Sequence, residues 1–266
     1  MAVIVATYNA AANLPRCIES ILGQTASGVG AIVVDGGSSD ATPEILEHYA
    51  DRLLWWCSEP DGGIYDAWNK GLAARGEADW ICFLGADDAF CDPGVVETLL
   101  PTLRAAPPAH RLVYGDLEVT DGDDRLLDVR HEPWERARRR IGETLTIPHP
   151  GLMHHRSIFD LRGGFDAGFR MAGDYDLVLR ELAHTEPLHV PGLRVVRWQE
   201  GGVTTDASMA VVATQERNRA LRQNGYPPAS WYMRSGLADR VRFLLRRLLG
   251  TRHVRNLQRL WRRLRF

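Results

Sequence analysis

The sequence predicts an α/β protein with a mixed, mostly parallel sheet flanked by helices. Short β-branched, apolar runs alternate with segments whose apolar residues recur at helical spacing, which is typical of parallel strands joined by helices. A cluster of polar residues follows each of the first four strand-type runs. Because the loops at the carboxyl ends of parallel strands meet at one edge of the sheet, these clusters are expected to share one ligand.

Two strand and helix pairs open the chain. Residues 2–7 (AVIVAT) predict the first strand, and the apolar residues between positions 14 and 22 recur as on one face of a helix. Residues 31–34 (AIVV) predict the second strand. Asp40 then offers a cap for a helix that Pro43 begins.

The alternation continues through most of the remaining chain. Further strands are predicted at residues 53–57 (LLWWC), 80–84 (WICFL) and 112–118 (LVYGDLE). Further helices are predicted within SEPDGGIYDAWNKG, at residues 92–103, and in a segment that opens with the acids Asp174 and Asp176. The pattern loosens over residues 121–140, which are charged and rich in turn formers. Within them ERARRR is interpreted as a solvated helical face, with a phosphate-facing patch as the alternative.

The composition bounds the class of protein. With 266 residues and 45% hydrophobic content, the chain suits one large domain or a domain with an appendage. No apolar run reaches the length of about 18 residues that a membrane span needs, and no signal peptide is recognised, so a cytosolic location is expected. The four cysteines form no CxxC pair and are expected to be reduced packing residues.

Positive charge is concentrated at the end of the chain. The net charge is -2, yet residues 225–266 contain 11 arginines and one acidic residue. Apolar residues recur at helical spacing over 237–248 and 254–264, which predicts basic amphipathic helices on an anionic membrane surface. Packing of these helices on the acidic body is the alternative, and that acidic body argues against a nucleic-acid partner. The predicted domains are residues 1–224 and 225–266.

Acidic residues at strand ends predict the chemistry. Asp87 and Asp88 follow the fourth strand, and adjacent carboxylates hold a hard divalent cation such as Mg²⁺ or Mn²⁺. Asp35, after the second strand, could accept hydrogen bonds from a base or ribose. Neither GxGxxG nor GxxxxGK[ST] occurs, which disfavours a dinucleotide-binding enzyme and a P-loop ATPase.

Five segments in order resemble the family-2 inverting glycosyltransferases of the GT-A fold. They are VIVATYNAAANLPRCIESILGQ, IVVDGGSSDATPEIL, SEPDGGIYDAWNKGL, ICFLGADD and GGFDAGFRMAGDYDLVLREL, and the resemblance as a whole runs from residue 2 to about residue 205. The resemblance implies transfer of a hexose-type sugar from a nucleoside-diphosphate sugar to an acceptor hydroxyl, with inversion at the anomeric carbon and a divalent metal. With the basic tail, it implies a lipid-linked or polysaccharide acceptor at the inner face of the cell membrane.

The resemblance also assigns roles to residues of the donor site. The donor-binding residues that it implies are Thr7, Tyr8, Asn9, Asp35, Asp61, Asp66, Asn69, Lys70 and Asp87. The implied metal ligands are Asp87, Asp88 and His149, while His149 could instead satisfy a buried backbone group. Gly85 stands where many relatives have Asp or Asn, and Trp68 where many have Arg, so phosphate contact falls to Lys70, Asn69 or another residue.

Asp174 matches the position of the family's catalytic base. Many relatives have Glu before this Asp, whereas this chain has Gly173, and Asp176 is therefore a second candidate. Two other functions remain open for the chain. One is a catalytically inactive sugar-nucleotide-binding or scaffold protein. The other is a sugar nucleotidyltransferase, although the glycine-rich, basic N-terminal loop of that class is absent.

Overall fold

The computed structural model describes residues 1–200 and 209–226, which form one mixed sheet with helices on its faces. The strands are β1 (Ala2–Thr7), β2 (Gly30–Asp35), β3 (Trp55–Ser58), β4 (Trp80–Gly85), β5 (Ala89–Phe90), β6 (Leu112–Thr120), β7 (Leu126–Arg130), β8 (Met153–His155) and β9 (Leu188–Gln199). The helices are α1 (Leu14–Leu22), α2 (Thr42–Tyr49), α3 (Ile64–Ala73), α4 (Val95–Ala105), α5 (Trp134–Ala137), α6 (Ser157–Arg162), α7 (Gly173–Leu182) and α8 (Ala210–Gln223).

The order of the strands places the loops of the site at one edge. The order is β3-β2-β1-β4-β8-β6-β9-β5, with β7 paired to β6. Strands β1 to β4 are parallel, and β8 is antiparallel to both β4 and β6. The chain adds β2 and β3 on one side of β1 and β4 on the other. The loops after β1, β2 and β4 therefore converge where the strand order reverses, which is where α/β sheets bind ligands.

Two apolar layers cover the two faces of the sheet. Val3 and Val5 face one layer, which includes apolar residues of α1, α2 and α4. Ala2 and Ile4 face the other, which includes residues of α3 and α7. Because both faces of β1 are buried, its sequence is a continuous apolar run rather than an alternating one. The predicted fold of a mostly parallel sheet between helices is confirmed.

The charged segment after β6 contains a strand that the sequence pattern did not predict and a short helix within the region interpreted as helical. Residues 121–140 form β7, which pairs with β6, and the short helix α5. Strand β7 alternates exposed and half-buried residues and has no continuous apolar run, so only its pairing with β6 makes it a strand. Arg138, Arg139 and Arg140 are exposed, in agreement with the solvated interpretation of ERARRR.

The end of the chain is described only as far as residue 226. Helix α8 ends at Gln223, and the basic amphipathic helices predicted over residues 237–266 lie outside the described residues. The predicted boundary between residues 224 and 225 stays a prediction. Within the described ranges, no helix is both long and apolar enough to cross a membrane.

Candidate active site

Asp174 lies in the first turn of α7 with its carboxylate held by a tyrosine of α3. The Tyr65 hydroxyl donates a hydrogen bond to Asp174 Oδ1 at 3.1 Å. Burial raises the pKa of Asp174, while hydrogen bonds from the Tyr175 backbone and the Tyr65 hydroxyl act in the opposite direction. A half-buried carboxylate with a raised pKa and one fixed oxygen is suited to accept a proton.

Asp176, the second candidate for the base, is committed to internal contacts. Its Oδ2 accepts from Arg180 Nε at 3.0 Å, and its Oδ1 accepts from Asn224 Nδ2 at 2.8 Å. The side chain is buried. Asp176 thereby ties α7 to the end of α8, and the geometry favours Asp174 as the base.

The acidic pair after β4 combines a buried and a half-buried carboxylate. Asp88 is 3% exposed, and its Oδ2 accepts the Gly85 N–H at 2.9 Å. Its Oδ1 is buried and has no hydrogen-bond partner among the described residues. Burial and the charge of Asp87 raise the pKa of Asp88 to about 8, and burial also raises the pKa of Asp87. An orphaned oxygen beside a second carboxylate fits a divalent cation with oxygen ligands.

Gly85 provides the space that this acidic pair needs. A Cβ at residue 85 would lie 2.7 Å from Asp87 Oδ1 and 3.4 Å from Asp88 Oδ2. A side chain at this position would therefore displace Asp87 from its present rotamer. Gly85 stands where many relatives have Asp or Asn, and the carboxylate of Asp87 occupies the space that such a side chain would need.

The loops after β1 and β2 are joined through Asp35. This buried carboxylate accepts hydrogen bonds from the Ser38 N–H at 2.9 Å, from Ser58 Oγ at 2.6 Å and from Ser38 Oγ. Ser38 Oγ accepts in turn from the Asn9 N–H at 2.7 Å, while Asn9 Oδ1 accepts from the Ser39 N–H at 2.9 Å. Asp35 thus organises the loops.

Strand β1 ends with one buried and one exposed side chain. Thr7 is buried, and its Oγ1 has no hydrogen-bond partner within the part of the chain that the structure describes. Tyr8 is 65% exposed at the mouth of these loops. The ring of Tyr8 is therefore accessible to a ligand such as a nucleobase.

The turn before α3 gathers three of the predicted donor-binding residues. Asp61 Oδ1 accepts the Gly63 N–H at 2.8 Å, and Asp66 Oδ2 accepts the Gly62 N–H at 3.0 Å. Lys70, the single lysine of the sequence, pairs with Glu59 at 2.8 Å. Asp61 therefore lies in the turn, and Asp66 and Lys70 contact this turn from α3. The turn lies close to the loop after β2, since a Cβ at Gly36 would be 2.8 Å from Asp61 Oδ2.

Asn69, a further predicted donor-binding residue on α3, makes its hydrogen bonds elsewhere. Its Nδ2 donates to the Phe165 carbonyl at 2.8 Å, and its Oδ1 accepts the Phe165 N–H at 2.9 Å. This pair of hydrogen bonds fixes the loop before α7. The structure therefore does not bring the Asn69 amide together with the donor-side carboxylates.

His149 lies in an aromatic cluster. Its ring centroid is 5.1 Å from Trp68 and 5.9 Å from Phe83. Burial lowers the pKa of His149 to about 3, so the ring is neutral, and its Nε2 has no partner within residues 1–200 and 209–226. Among the described residues, the group of three His, Cys, Asp or Glu side chains close enough to hold one ion is Asp116, His131 and His189. His149, Asp87 and Asp88 do not form such a group.

Comparison with known proteins identifies the family. The sequence model described as Glycosyl transferase family 2 matches residues 2–162. An uncharacterized glycosyltransferase of Mycobacterium tuberculosis is 32% identical over 191 residues, which cover 71% of each chain. The chain belongs to glycosyltransferase family 2. A PGL/p-HBAD biosynthesis glycosyltransferase of Mycobacterium bovis is 30% identical over 190 residues, covering 67% of this chain and 68% of that one.

Solved structures show the same fold. A complex of S. aureus TarS 1-349 with UDP-GlcNAc superimposes with a TM-score of 0.65 at 18% identity, covering 84% of this chain and 64% of that chain. The mannosyltransferase PcManGT of Pyrobaculum calidifontis, in complex with GDP-Man and Mn²⁺, gives a TM-score of 0.65 at 15% identity and covers 99% of this chain and 79% of that one. The chain spans 42% of a longer TarS chain. The predicted GT-A fold is confirmed.

In this family 2 glycosyltransferase, a residue that the sequence pattern does not reveal holds the backbone before Asp174. Glu216 of α8 accepts hydrogen bonds from the N–H groups of Arg170, Met171 and Ala172, at distances from 2.7 to 3.1 Å. Three consecutive amides directed at one carboxylate fix the turn that leads into α7. No local sequence signal marks Glu216, because its partners are 44 to 46 residues away.

The structure of this glycosyltransferase explains why Gly173 replaces the Glu that many relatives have at this position. A Cβ there would lie 2.9 Å from three carbons of the Tyr65 ring. That ring is fixed in turn, since it stacks on Phe165 with centroids 5.7 Å apart and meets Trp68 edge-on at 5.6 Å. The packing of Tyr65, which contacts Asp174, therefore requires glycine at residue 173.

Proposed function

We propose that this glycosyltransferase moves a sugar from a nucleoside-diphosphate sugar to an acceptor hydroxyl in a single displacement with inversion. The observation that carries the proposal is Asp174, a carboxylate with a raised pKa and one oxygen bound by Tyr65. Membership of family 2 supports the reaction class. The contacts of Asp176 also support the assignment, because both of its carboxylate oxygens already accept hydrogen bonds from Arg180 and Asn224.

Asp174 would act as general base. Its carboxylate would take the proton of the acceptor hydroxyl while that oxygen attacks the anomeric carbon from the face opposite the diphosphate. The hydrogen bond from Tyr65 would orient the carboxylate, and Glu216 would hold the preceding turn, so that the free oxygen meets the acceptor in a fixed position. The carbon–oxygen bond to the diphosphate breaks as the new glycosidic bond forms.

Asp87 and Asp88 would hold Mg²⁺ or Mn²⁺. The fit rests on their carboxylate oxygens and on the unpartnered, buried Oδ1 of Asp88. When bound, the ion would balance the charge that develops on the departing diphosphate. The solved structure of PcManGT with GDP-Man and Mn²⁺ supports this choice of metal. His149 is assigned to the aromatic core, since its ring packs on Trp68 and Phe83.

The donor would lie over the loops after β1 and β2 and before α3. Tyr8 would contact the nucleobase, and Asp35 and Asn9 would hold the loops after β1 and β2 in shape. Lys70 would break its ion pair with Glu59 and bind the diphosphate. The UDP-GlcNAc and GDP-Man complexes of its structural neighbours support a nucleoside-diphosphate sugar donor. Thr7 at the end of β1, Asp61 in the turn before α3 and Asp66 in the first turn of α3 would also line the donor side.

The acceptor would be a lipid-linked or polysaccharide glycan at the inner face of the cell membrane. This part rests on the sequence pattern of residues 237–266, where arginines alternate with an apolar helical stripe. Removing the residues after Gly236 should release the protein from anionic liposomes. Unchanged co-sedimentation of the shortened protein would contradict the membrane assignment.

The test of the reaction uses a panel of sugar nucleotides with Mn²⁺ and the Asp174→Asn variant. Transfer should fall to the background level, while binding of the nucleotide, measured by calorimetry, should stay within a few-fold of wild type. Asp176→Asn is the matched control, because it should lower stability and retain transfer per folded molecule. Undiminished transfer by Asp174→Asn would refute the base assignment, and nucleotide binding without transfer in the wild type would favour an inactive sugar-nucleotide-binding protein.

A further inference from the structure

We propose that Asp116, His131 and His189 form a second metal site, distinct from the acidic pair after β4 and suited to Zn²⁺. Asp116 lies on β6, His189 on β9, and His131 directly after β7. One ligand atom from each side chain lies within 4.8 Å of the other two. Asp116 Oδ1 is 2.8 Å from His131 Nδ1 and 3.2 Å from His189 Nε2.

The separations are close to those of a tetrahedral zinc site. Zn²⁺ binds imidazole nitrogen and carboxylate oxygen at about 2.0–2.1 Å, so neighbouring ligand atoms in a tetrahedron are about 3.3 Å apart. To reach this geometry, the contact of Asp116 with His131 would lengthen by about 0.5 Å and its contact with His189 by about 0.1 Å. Two imidazoles with one carboxylate are a donor set for Zn²⁺ or Co²⁺, whereas the all-oxygen pair Asp87 and Asp88 suits Mg²⁺ or Mn²⁺.

Contacts outside the ligand set hold two of the three ligands in place. Asp116 Oδ2 accepts the Gly192 N–H at 3.2 Å, which orients the carboxylate and directs Oδ1 to the histidines. The His189 ring stacks on Tyr114 with centroids 4.8 Å apart. Outer contacts of this kind fix the orientation of metal ligands. His131 is 48% exposed, which leaves the fourth position open to water.

The charge of the cluster also favours a cation. Asp116 is buried, and the ion-pair partners that the described residues offer it are these two imidazoles. A divalent ion would neutralise Asp116 and would join β6, β9 and the end of β7. The site would therefore stabilise this half of the sheet, independently of the proposed transfer reaction.

The experiment is a titration of the untagged, metal-free full-length protein with ZnCl₂, followed by calorimetry and thermal unfolding. Wild type should bind one equivalent of Zn²⁺ and unfold at a higher temperature. His131→Ala, chosen because an exposed side chain can be removed without harming the core, should weaken binding more than about tenfold and abolish the thermal shift. His189→Gln should do the same if it folds.

Two control variants and one spectrum identify the site. His48→Ala removes an exposed histidine on α2, and Asp87→Asn alters the acidic pair, so both should bind Zn²⁺ as wild type does. Co²⁺ should give the visible absorption of a tetrahedral ion without a thiolate charge-transfer band, because no cysteine belongs to the site. The proposal is overturned if His131→Ala binds Zn²⁺ like wild type, if Asp87→Asn alone loses binding, or if wild type binds no Zn²⁺.

Discussion

The ring of Tyr65 fills the space beside Gly173, at the point where α7 begins. Three of its ring carbons lie 2.9 Å from where a Cβ of residue 173 would stand. The hydroxyl of the same side chain binds Asp174. One aromatic residue therefore determines both which residue can precede Asp174 and how the carboxylate of Asp174 is oriented.

Substituting Gly173 with Ala should destabilise the protein and reduce transfer. The new methyl group would force the Tyr65 ring out of its packing, and overpacking of this kind costs about 1–3 kcal/mol. Ala gains up to about 1 kcal/mol of helix propensity over Gly, so with the full gain the net loss is expected to be about 0–2 kcal/mol. Urea unfolding and kcat measure the two effects.

Gly142→Ala is the matched control for this prediction. No atom lies within 4 Å of a Cβ built at Gly142, so its stability should stay within about 0.5 kcal/mol of wild type. Adding Gly173→Ala to the Tyr65→Ala variant should change the free energy of unfolding little, because the ring that the new methyl group would meet is absent. A Gly173→Ala protein as stable and active as wild type would contradict the steric relationship.

Removing the Tyr65 hydroxyl should move the pH dependence of transfer to higher pH. The hydrogen bond from Tyr65 stabilises the charged form of Asp174 and lowers its pKa, while burial raises it. Tyr65→Phe removes the first effect, so the pKa of Asp174 rises and a higher pH is needed to keep the base deprotonated. The acid limb of kcat/KM, measured at saturating Mn²⁺, should shift upwards. A downward shift would show that Tyr65 does not donate to this carboxylate.

Glu216 should act as a positioning residue. Glu216→Ala leaves three backbone N–H groups before α7 without their acceptor, so kcat should fall while the KM for the donor changes little. Stability should fall by about 1–3 kcal/mol. Glu216→Gln keeps one acceptor oxygen and should restore part of kcat. Gln215→Ala, on the exposed side of the same helix, is the control, and equal kcat in all three variants would refute the role.

Removing divalent metal should abolish transfer reversibly. A chelator should reduce the rate to background, and Mn²⁺ or Mg²⁺ should restore it. Asp87→Asn should raise the Mn²⁺ concentration needed for half of the maximal rate by about tenfold or more, because one charged ligand is lost. Asp51→Asn, at an exposed carboxylate after α2, should leave this concentration unchanged. Full activity in the presence of the chelator would exclude the metal role of the acidic pair.

The elements around β1 could be predicted because their signals are local. Strands β1 and β4 begin at their predicted residues, and β2 extends its prediction by one residue at each end. Each is buried on both faces and so reads as a continuous apolar run. The third strand was predicted from residue 53 but begins at Trp55, because a short 3-10 turn over Ala50–Arg52 follows α2 and Leu54 is exposed.

The amino-acid sequence by itself determined the α/β class, the strand ends that carry the polar loops, and Asp174 at the start of a helix, since each depends on a few adjacent residues. Tertiary structure alone decided what those residues contact. Asn69 binds Phe165, Glu216 holds residues 170–172, and Asp116 meets His189, which is 73 residues away. The physical reason is that hydrogen bonds and metal sites need atoms within about 3 Å, and only the packing of the strands and helices brings such distant residues that close.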